Sequence, residues 1–171
     1  QFGYYMRQSA GADHERIGWS GDFYTSSDVY PILGRALAAQ ARQMDELVSC
    51  PTPFTIVEMG AGKGLLARDC LAAIHVEQDD FASRIRYVLI ERSPAMRELQ
   101  RQNLVPWLSK PGLVTWVEDL DGLAPQSVTG LFFSNELIDA FPVHRIQVTV
   151  GQTEELYVDY RDGRFVDCLK P

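Results

Sequence analysis

This 171-residue sequence predicts an α/β fold, a parallel sheet covered by helices and followed by a small antiparallel meander. Two observations carry the sheet. Short apolar runs at 54–59, 87–90, 113–117 and 130–134 alternate with segments that favour helix. The runs are continuously apolar rather than alternating, the pattern of strands buried on both faces. A third observation carries the meander. After Pro142 the texture becomes strand, turn, strand, with Asp162-Gly163 as a hairpin signal.

Each element has a local reason. Residues 1–27 are rich in Gly, Ser, Tyr and Asp, show no sustained period and read as loop. Ser27 or Asp28 can cap a helix over 29–48, where Leu33, Leu37, Met44 and Leu47 fall near one face. Gly34 weakens that helix, and Cys50-Pro51-Thr52-Pro53 stops it. The run 54–59 is apolar with β-branched residues and reads as a buried strand. A glycine turn follows, then a helix over 65–76 with Leu66, Cys70, Leu71 and Ile74 at helical spacing. After the second strand at 87–90, Ser93 suits an N-cap and Pro94 the first helical position. The third and fourth strands are 113–117 and 130–134, and 145–150, 156–160 and 165–169 make the meander. The expected organisation is one partial domain over 1–171. It has an N-terminal segment over 1–27, a helix over 28–50, a Rossmann-like half over 54–142 and the meander over 143–171.

Composition excludes more than it names. A hydrophobic fraction of 46% and a charged fraction of 23% are globular values and argue against disorder or a disulfide scaffold. A formal charge of −7 repels phosphate backbones, so nucleic acid is not expected as a partner. No run of eighteen apolar residues exists, so no membrane-spanning helix is expected. Cys50, Cys70 and Cys168 are widely spaced and form no CxxC, so reduced thiols in a cytoplasm-like compartment are expected. The chain starts with neither Met nor a secretory leader, and the expectation is an excerpt of something longer.

The strongest chemical signal is Glu58-Met59-Gly60-Ala61-Gly62-Lys63-Gly64 between a strand and a helix. Glycines there let the backbone approach a ligand, and helix N–H groups face it. A P-loop needs GxxxxGK[ST], but Gly64 follows Lys63 and no Gly stands five residues before Gly62. A dinucleotide fingerprint needs GxGxxG, but position 65 is Leu. S-adenosylmethionine has no pyrophosphate, and its cationic groups tolerate a carboxylate such as Glu58 at the strand end. A plain strand–turn–helix junction would read the same.

Further acids follow the later strands. Glu91 follows the second, where an acid accepts hydrogen bonds from ribose hydroxyls. A surface glutamate beside Arg92 is the alternative. The stretch 75–83 absorbs the extra distance from the glycines. Asp119 follows the third strand and can meet an adenine amine, with Leu120 against the ring; a solvated acidic turn is the alternative. Three successive strands thus carry acids at their carboxyl ends, the edge where open α/β sheets bind ligands. The fourth strand leads into Asn135-Glu136-Leu137-Ile138-Asp139. If Glu136 starts a helical turn, Glu136 and Asp139 share a face. Two carboxylates and an amide suit a cationic acceptor such as a guanidinium, protonated below a pKa of about 12. Alternatively Glu136 only offsets a helix dipole. His144 reads as a packing or hydrogen-bonding residue before it reads as a base.

Four segments together resemble one family. They are Gly3-Tyr4-Tyr5; Ile17-Gly18 with Gly21-Asp22-Phe23-Tyr24-Thr25-Ser26; the Glu58–Gly64 glycine motif; and Asn135-Glu136-x-x-Asp139-Ala140-x-Pro142-Val143-His144. The chain is similar over nearly its whole length to the MidA-like class I methyltransferases. Mitochondrial members of that family act in respiratory complex I assembly by methylating an arginine of a partner subunit. The resemblance implies parallel strands in the order 3-2-1-4. It also implies that residues 1–27 close over the cofactor, which brings Thr25 and Ser26 to the site. This sequence departs in having Ser27-Asp28 where the family usually has Pro-Glu, and Phe141 where Leu is common. Family members also extend further at both ends.

The reading that follows is an S-adenosylmethionine-dependent methyltransferase acting on a protein arginine, without a metal. Thr25, Ser26, Glu58, Gly60, Ala61, Gly62, Gly64, Glu91, Asp119, Leu120 and Asn135 are the candidate cofactor residues. Glu136 and Asp139 are the candidate catalytic residues that orient the acceptor. The expected partner is a protein substrate, which the resemblance implies is a respiratory complex subunit, in a bacterial cytoplasm or the mitochondrial matrix. Two other readings compete. One is a non-catalytic assembly or interaction protein that retains the fold. The other, an NAD-dependent oxidoreductase, is disfavoured by the missing GxxG spacing and by Glu58.

Overall fold

The structure is a computed structural model that describes residues 30–170. They fall into two compact units, one ending at Asn135 and the other beginning at Glu136.

The first unit holds α1 (Ile32–Leu47), β1 (Phe54–Met59), α2 (Leu65–His75), α3 (Asp80–Arg84), β2 (Ile85–Ile90), α4 (Pro94–Leu108), β3 (Val114–Val117) and β4 (Gly130–Ser134). All four strands are parallel and lie in the order β3-β2-β1-β4, as the resemblance implies. The register aligns their carboxyl ends, with Met59 opposite both Ile90 and Ser134, and Ile90 opposite Val117.

Among the described residues, helices pack on one face of this sheet, where cover on both faces was expected. Phe54, Ile56, Tyr87 and Leu89 pack there with Ala38 and Ala41 of α1, Cys70, Leu71 and Ile74 of α2, Phe81 of α3 and Leu104 of α4. The opposite face carries Val57, Val88 and Ile90, packed against Met59, Val117, Leu123 and Val128. The reason is topological. The crossovers β1-α2-β2 and β2-α4-β3 run the same way along the sheet, and right-handed connections then land on the same side.

Local corrections have physical causes. The first helix begins at Ile32, not at 29, with Pro31 as an N-cap that makes no side-chain capping bond. Ser27 and Asp28 lie outside the described residues. Gly34 costs helix propensity but gives close packing: a Cβ there would come within 2.6 Å of the Asp69 Cβ. Residues 80–84, expected as spacer, form α3, capped by the Asp79 carboxylate that accepts from the Ala82 N–H. Ser93 and Pro94 start α4 as the sequence predicts, with the Ser93 hydroxyl accepting from the Met96 N–H.

The second unit is an antiparallel sheet, β5-β6-β7, of Arg145–Thr149, Gln152–Arg161 and Arg164–Lys170. Asp162 and Gly163 both take positive φ, 51° and 78°, the geometry of a tight hairpin turn. A single 3-10 turn, Ile138–Ala140, precedes this sheet.

Candidate functional site

The carboxyl edge of the parallel sheet gathers the glycine turn, Glu91, Asp119 and Asn135 among the sequence-predicted residues. Gly60 follows β1 and donates its N–H to the Ile90 carbonyl at 3.4 Å. Glu91 follows β2 and donates its N–H to the Val117 carbonyl at 3.0 Å. Asp119 comes two residues after β3, and Asn135 directly follows β4. The aligned register therefore places glycine turn, Glu91, Asp119 and Asn135 along one edge.

The glycine turn requires glycine. Gly60, Gly62 and Gly64 have φ of 77°, 52° and 79°, all in the left-handed region. They play different parts. Among the described residues, a Cβ on Gly62 would meet no atom within 4 Å. A Cβ on Gly64 would come within 3.1 Å of the Gln100 side chain, so this glycine lets α4 approach the turn. Ala61 is buried beneath the turn, where its carbonyl accepts the Gly64 N–H at 2.8 Å.

Glu58 is not presented at the edge as the sequence suggested. It shares the helix-covered face with Phe54 and Ile56 and is 2% exposed. The Tyr87 hydroxyl donates to its Oε2 at 2.7 Å. Tyr87 pairs with Ile56, two residues before Glu58, so this is a diagonal contact on one sheet face. Burial pushes the Glu58 carboxyl up to about 7, opposed by the Tyr87 hydrogen bond. Burial, with the Glu58 charge next, also raises Tyr87 well above its ordinary value.

Glu91 is the carboxylate with capacity to spare. Its Oε1 accepts the Ser93 N–H at 2.7 Å, and its Oε2 accepts from Gln100 Nε2 at 3.4 Å. A carboxylate has about four acceptor sites, and among the described residues Ser93, Gln100 and the adjacent Arg92 N–H leave it room for a further donor. Partial burial raises its pKa, against hydrogen bonds from Ser93 and Gln100 that lower it. Asp119 is half-exposed and accepts from Arg92 at 3.3 Å. Leu120, 51% exposed, begins a 3-10 turn, Leu120–Gly122.

Glu136 and Asp139 belong to the second unit. Glu136 does not start a helical turn. Its φ is 49°, and a left-handed residue breaks the helical repeat. Asp139 lies in the 3-10 turn two residues further on, so the argument from a shared helical face does not hold. Both are exposed. His144 Nδ1 pairs with a Glu155 carboxylate oxygen, and the Tyr157 hydroxyl donates to the other at 2.5 Å. This is the hydrogen-bonding alternative for His144. Thr25 and Ser26 lie outside the described residues.

Sequence reasoning missed Gln100, Asn103 and Trp116. Gln100 is fully buried, and its Nε2 donates to the Gly62 carbonyl at 2.8 Å. Asn103 Nδ2 donates to the Lys63 carbonyl at 3.0 Å, and Trp116 Nε1 donates to Gln100 Oε1 at 2.8 Å. The signal was faint. Gln100 stands four residues before Leu104 and so falls in the buried stripe of its helix.

A glycine turn, an acid after the second strand and another after the third lie on the carboxyl edge, the edge at which open α/β sheets bind ligands. The comparisons identify the class of the domain. Residues 32–171 match the family model described as "Putative S-adenosyl-L-methionine-dependent methyltransferase", and the chain belongs to that family.

Its relatives are more particular. "Protein arginine methyltransferase NDUFAF7 homolog, mitochondrial" of Drosophila melanogaster is 27% identical over 93% of this chain and 38% of the relative. "Protein arginine methyltransferase NDUFAF7, mitochondrial" of Mus musculus is 29% identical over 92% of this chain and 38% of the relative. A Burkholderia thailandensis protein crystallised with S-adenosyl-homocysteine superposes with a TM-score of 0.69 and 27% identity, covering 91% of this chain and 39% of that one. The chain thus spans about two fifths of the length of these relatives.

Proposed function

We propose that this chain carries the S-adenosylmethionine site of a methyltransferase whose acceptor is an arginine of a partner protein. One observation carries the cofactor assignment: among the described residues, the uncrowded Cβ position of Gly62 and the remaining acceptor capacity of Glu91 lie on the same sheet edge. The residues fit the group. The glycine turn admits close backbone approach, Glu91 accepts the ribose hydroxyls, and Asp119 with Leu120 takes the adenine amine and ring. The Burkholderia relative's S-adenosyl-homocysteine supports this reading.

When bound, S-adenosylmethionine supplies an electrophilic methyl carbon on a sulfonium. The chain then has to position rather than react, because in-line transfer depends on orientation and electrostatics. Glu136 and Asp139 orient the guanidinium by charge-assisted hydrogen bonds and draw its charge from the attacking nitrogen. The left-handed backbone of Glu136 supports a functional role, since strain of this kind collects at working sites. The names of the Drosophila and mouse relatives support arginine as the acceptor and a mitochondrial setting. In this reading residues 1–171 form one partial methyltransferase domain, with Thr25 and Ser26 in a segment that covers the cofactor. A respiratory complex subunit as partner, and the mitochondrial matrix or a bacterial cytoplasm as location, belong to the same proposal. No helix among the described residues is long and apolar enough to cross a membrane.

The test is calorimetric titration of S-adenosylmethionine and S-adenosyl-homocysteine, with Gly60→Val as control. Micromolar binding that the control loses is expected. Methyl transfer to protein arginine by the full-length protein should then disappear in Glu136→Gln while cofactor binding stays. Transfer that survives Glu136→Gln contradicts its catalytic assignment.

A further inference from the structure

We infer that Gln100 is a positioning residue that sets the glycine turn and Glu91 as one unit, and so governs recognition of the ribose diol. The inference rests on the proposed cofactor site. Gln100 is fully buried, where an unsatisfied amide would be costly. Its Nε2 serves two partners, the Gly62 carbonyl at 2.8 Å and Glu91 Oε2 at 3.4 Å. Its Oε1 accepts from Trp116 Nε1 at 2.8 Å. One side chain on α4 therefore ties together the turn after β1, the acid after β2 and an indole on β3.

The chemistry is specific to an amide. Trp116 donates to the oxygen, which fixes the amide so that its NH₂ faces the carbonyl and the carboxylate. Glutamate in this place would set a carboxylate against Gly62 O and Glu91. Leucine would leave the Gly62 carbonyl and the Trp116 N–H without a partner. The geometry also orients the turn. The Gly62 and Lys63 carbonyls accept from Gln100 and Asn103 of α4. Peptide planarity then points the Lys63 N–H away from α4. At Glu91 the Ser93 N–H holds one oxygen and Gln100 the other, which fixes how the carboxylate presents its remaining acceptor capacity to a vicinal diol.

The experiment compares S-adenosyl-homocysteine with its 2′-deoxy analogue by calorimetry. The parent protein should prefer the diol ligand on the order of tenfold, the effect of a hydrogen bond to a charged acceptor. Gln100→Leu should reduce that preference to about twofold while still binding the 2′-deoxy analogue, and should add nothing in a Glu91→Gln background. Equal losses for both ligands, or an unchanged preference, would overturn the role of Gln100. If Gln100→Leu does not fold, Trp116→Phe releases the amide oxygen instead. A smaller preference for the diol supports the tether, and an unchanged one refutes it. A parent protein that binds neither ligand refutes the cofactor reading itself, and the inference with it.

Discussion

The two edges of the parallel sheet are built from similar residues and end in opposite states. At the amino edge, Arg84 lies at the end of α3 beside the start of β2 and is largely buried. Its guanidinium donates to both Asp45 oxygens at 2.9 and 2.8 Å, to the Pro51 carbonyl at 2.8 Å and to Asp80 at 2.7 Å. Nearly every donor is used. At the carboxyl edge, among the described residues, Glu91 keeps acceptor capacity, Asp119 accepts one long hydrogen bond, and a Cβ on Gly62 would meet nothing within 4 Å. One edge satisfies itself and holds the fold. Among the described residues, the other leaves hydrogen-bonding capacity unused.

The largest expected effect breaks the closed edge. Asp45→Ala removes two of the four hydrogen bonds of a buried guanidinium, leaving it Asp80 and the Pro51 carbonyl, and should cost about 3 kcal/mol in denaturant unfolding. Ligand affinity per folded molecule should stay within about twofold, because the open edge is untouched. A parallel loss of affinity would merge the two edges into one device.

Glu58 lies between these extremes, buried near the carboxyl end of β1 but satisfied from within. Its folded pKa of about 7 exceeds the ordinary 4.5, so between these pH values the folded state holds a proton that the unfolded state releases. Its contribution is therefore full below about pH 4.5 and is lost as pH rises to about 7. The expected loss is on the order of 3 kcal/mol. Glu58→Gln should remove this dependence and be more stable than the parent at pH 8. Identical pH profiles of unfolding for the two proteins would contradict the assignment.

Gly62→Val sharpens the open edge. Its Cβ would meet nothing within 4 Å among the described residues, so the stability cost should be backbone strain, about 1–2 kcal/mol. Affinity for S-adenosyl-homocysteine should fall about a hundredfold, because the ligand takes that space. The smallest effect is Glu91→Gln, with about tenfold weaker binding. Its stability should hold or rise slightly at pH 7, since burial already penalises the Glu91 charge.

Much of this was legible in the sequence for physical reasons. Continuous apolar runs gave the four parallel strands, Ser93-Pro94 gave the start of α4, and the glycine spacing gave the turn. What stayed hidden depends on where side chains go after the chain folds. Glu58 looked like a carboxylate at a strand end, but strand parity turns it inward under Tyr87. Gln100 drew no reading from the sequence, and only the tight approach at Gly64 brings it against the turn. Glu136 looked helical because carboxylates three apart suggest it, while its backbone is left-handed. Period and composition reveal elements; they do not reveal which polar groups the packed elements leave unfilled.

The most direct test of the contrast between edges is hydrogen exchange measured with and without saturating S-adenosyl-homocysteine. Protection should appear in peptides spanning 58–68, 90–97 and 117–123, with no change across 45–53 and 80–86. Protection confined to the amino edge, or spread evenly over the sheet, would contradict the assignment of the carboxyl edge as the ligand site.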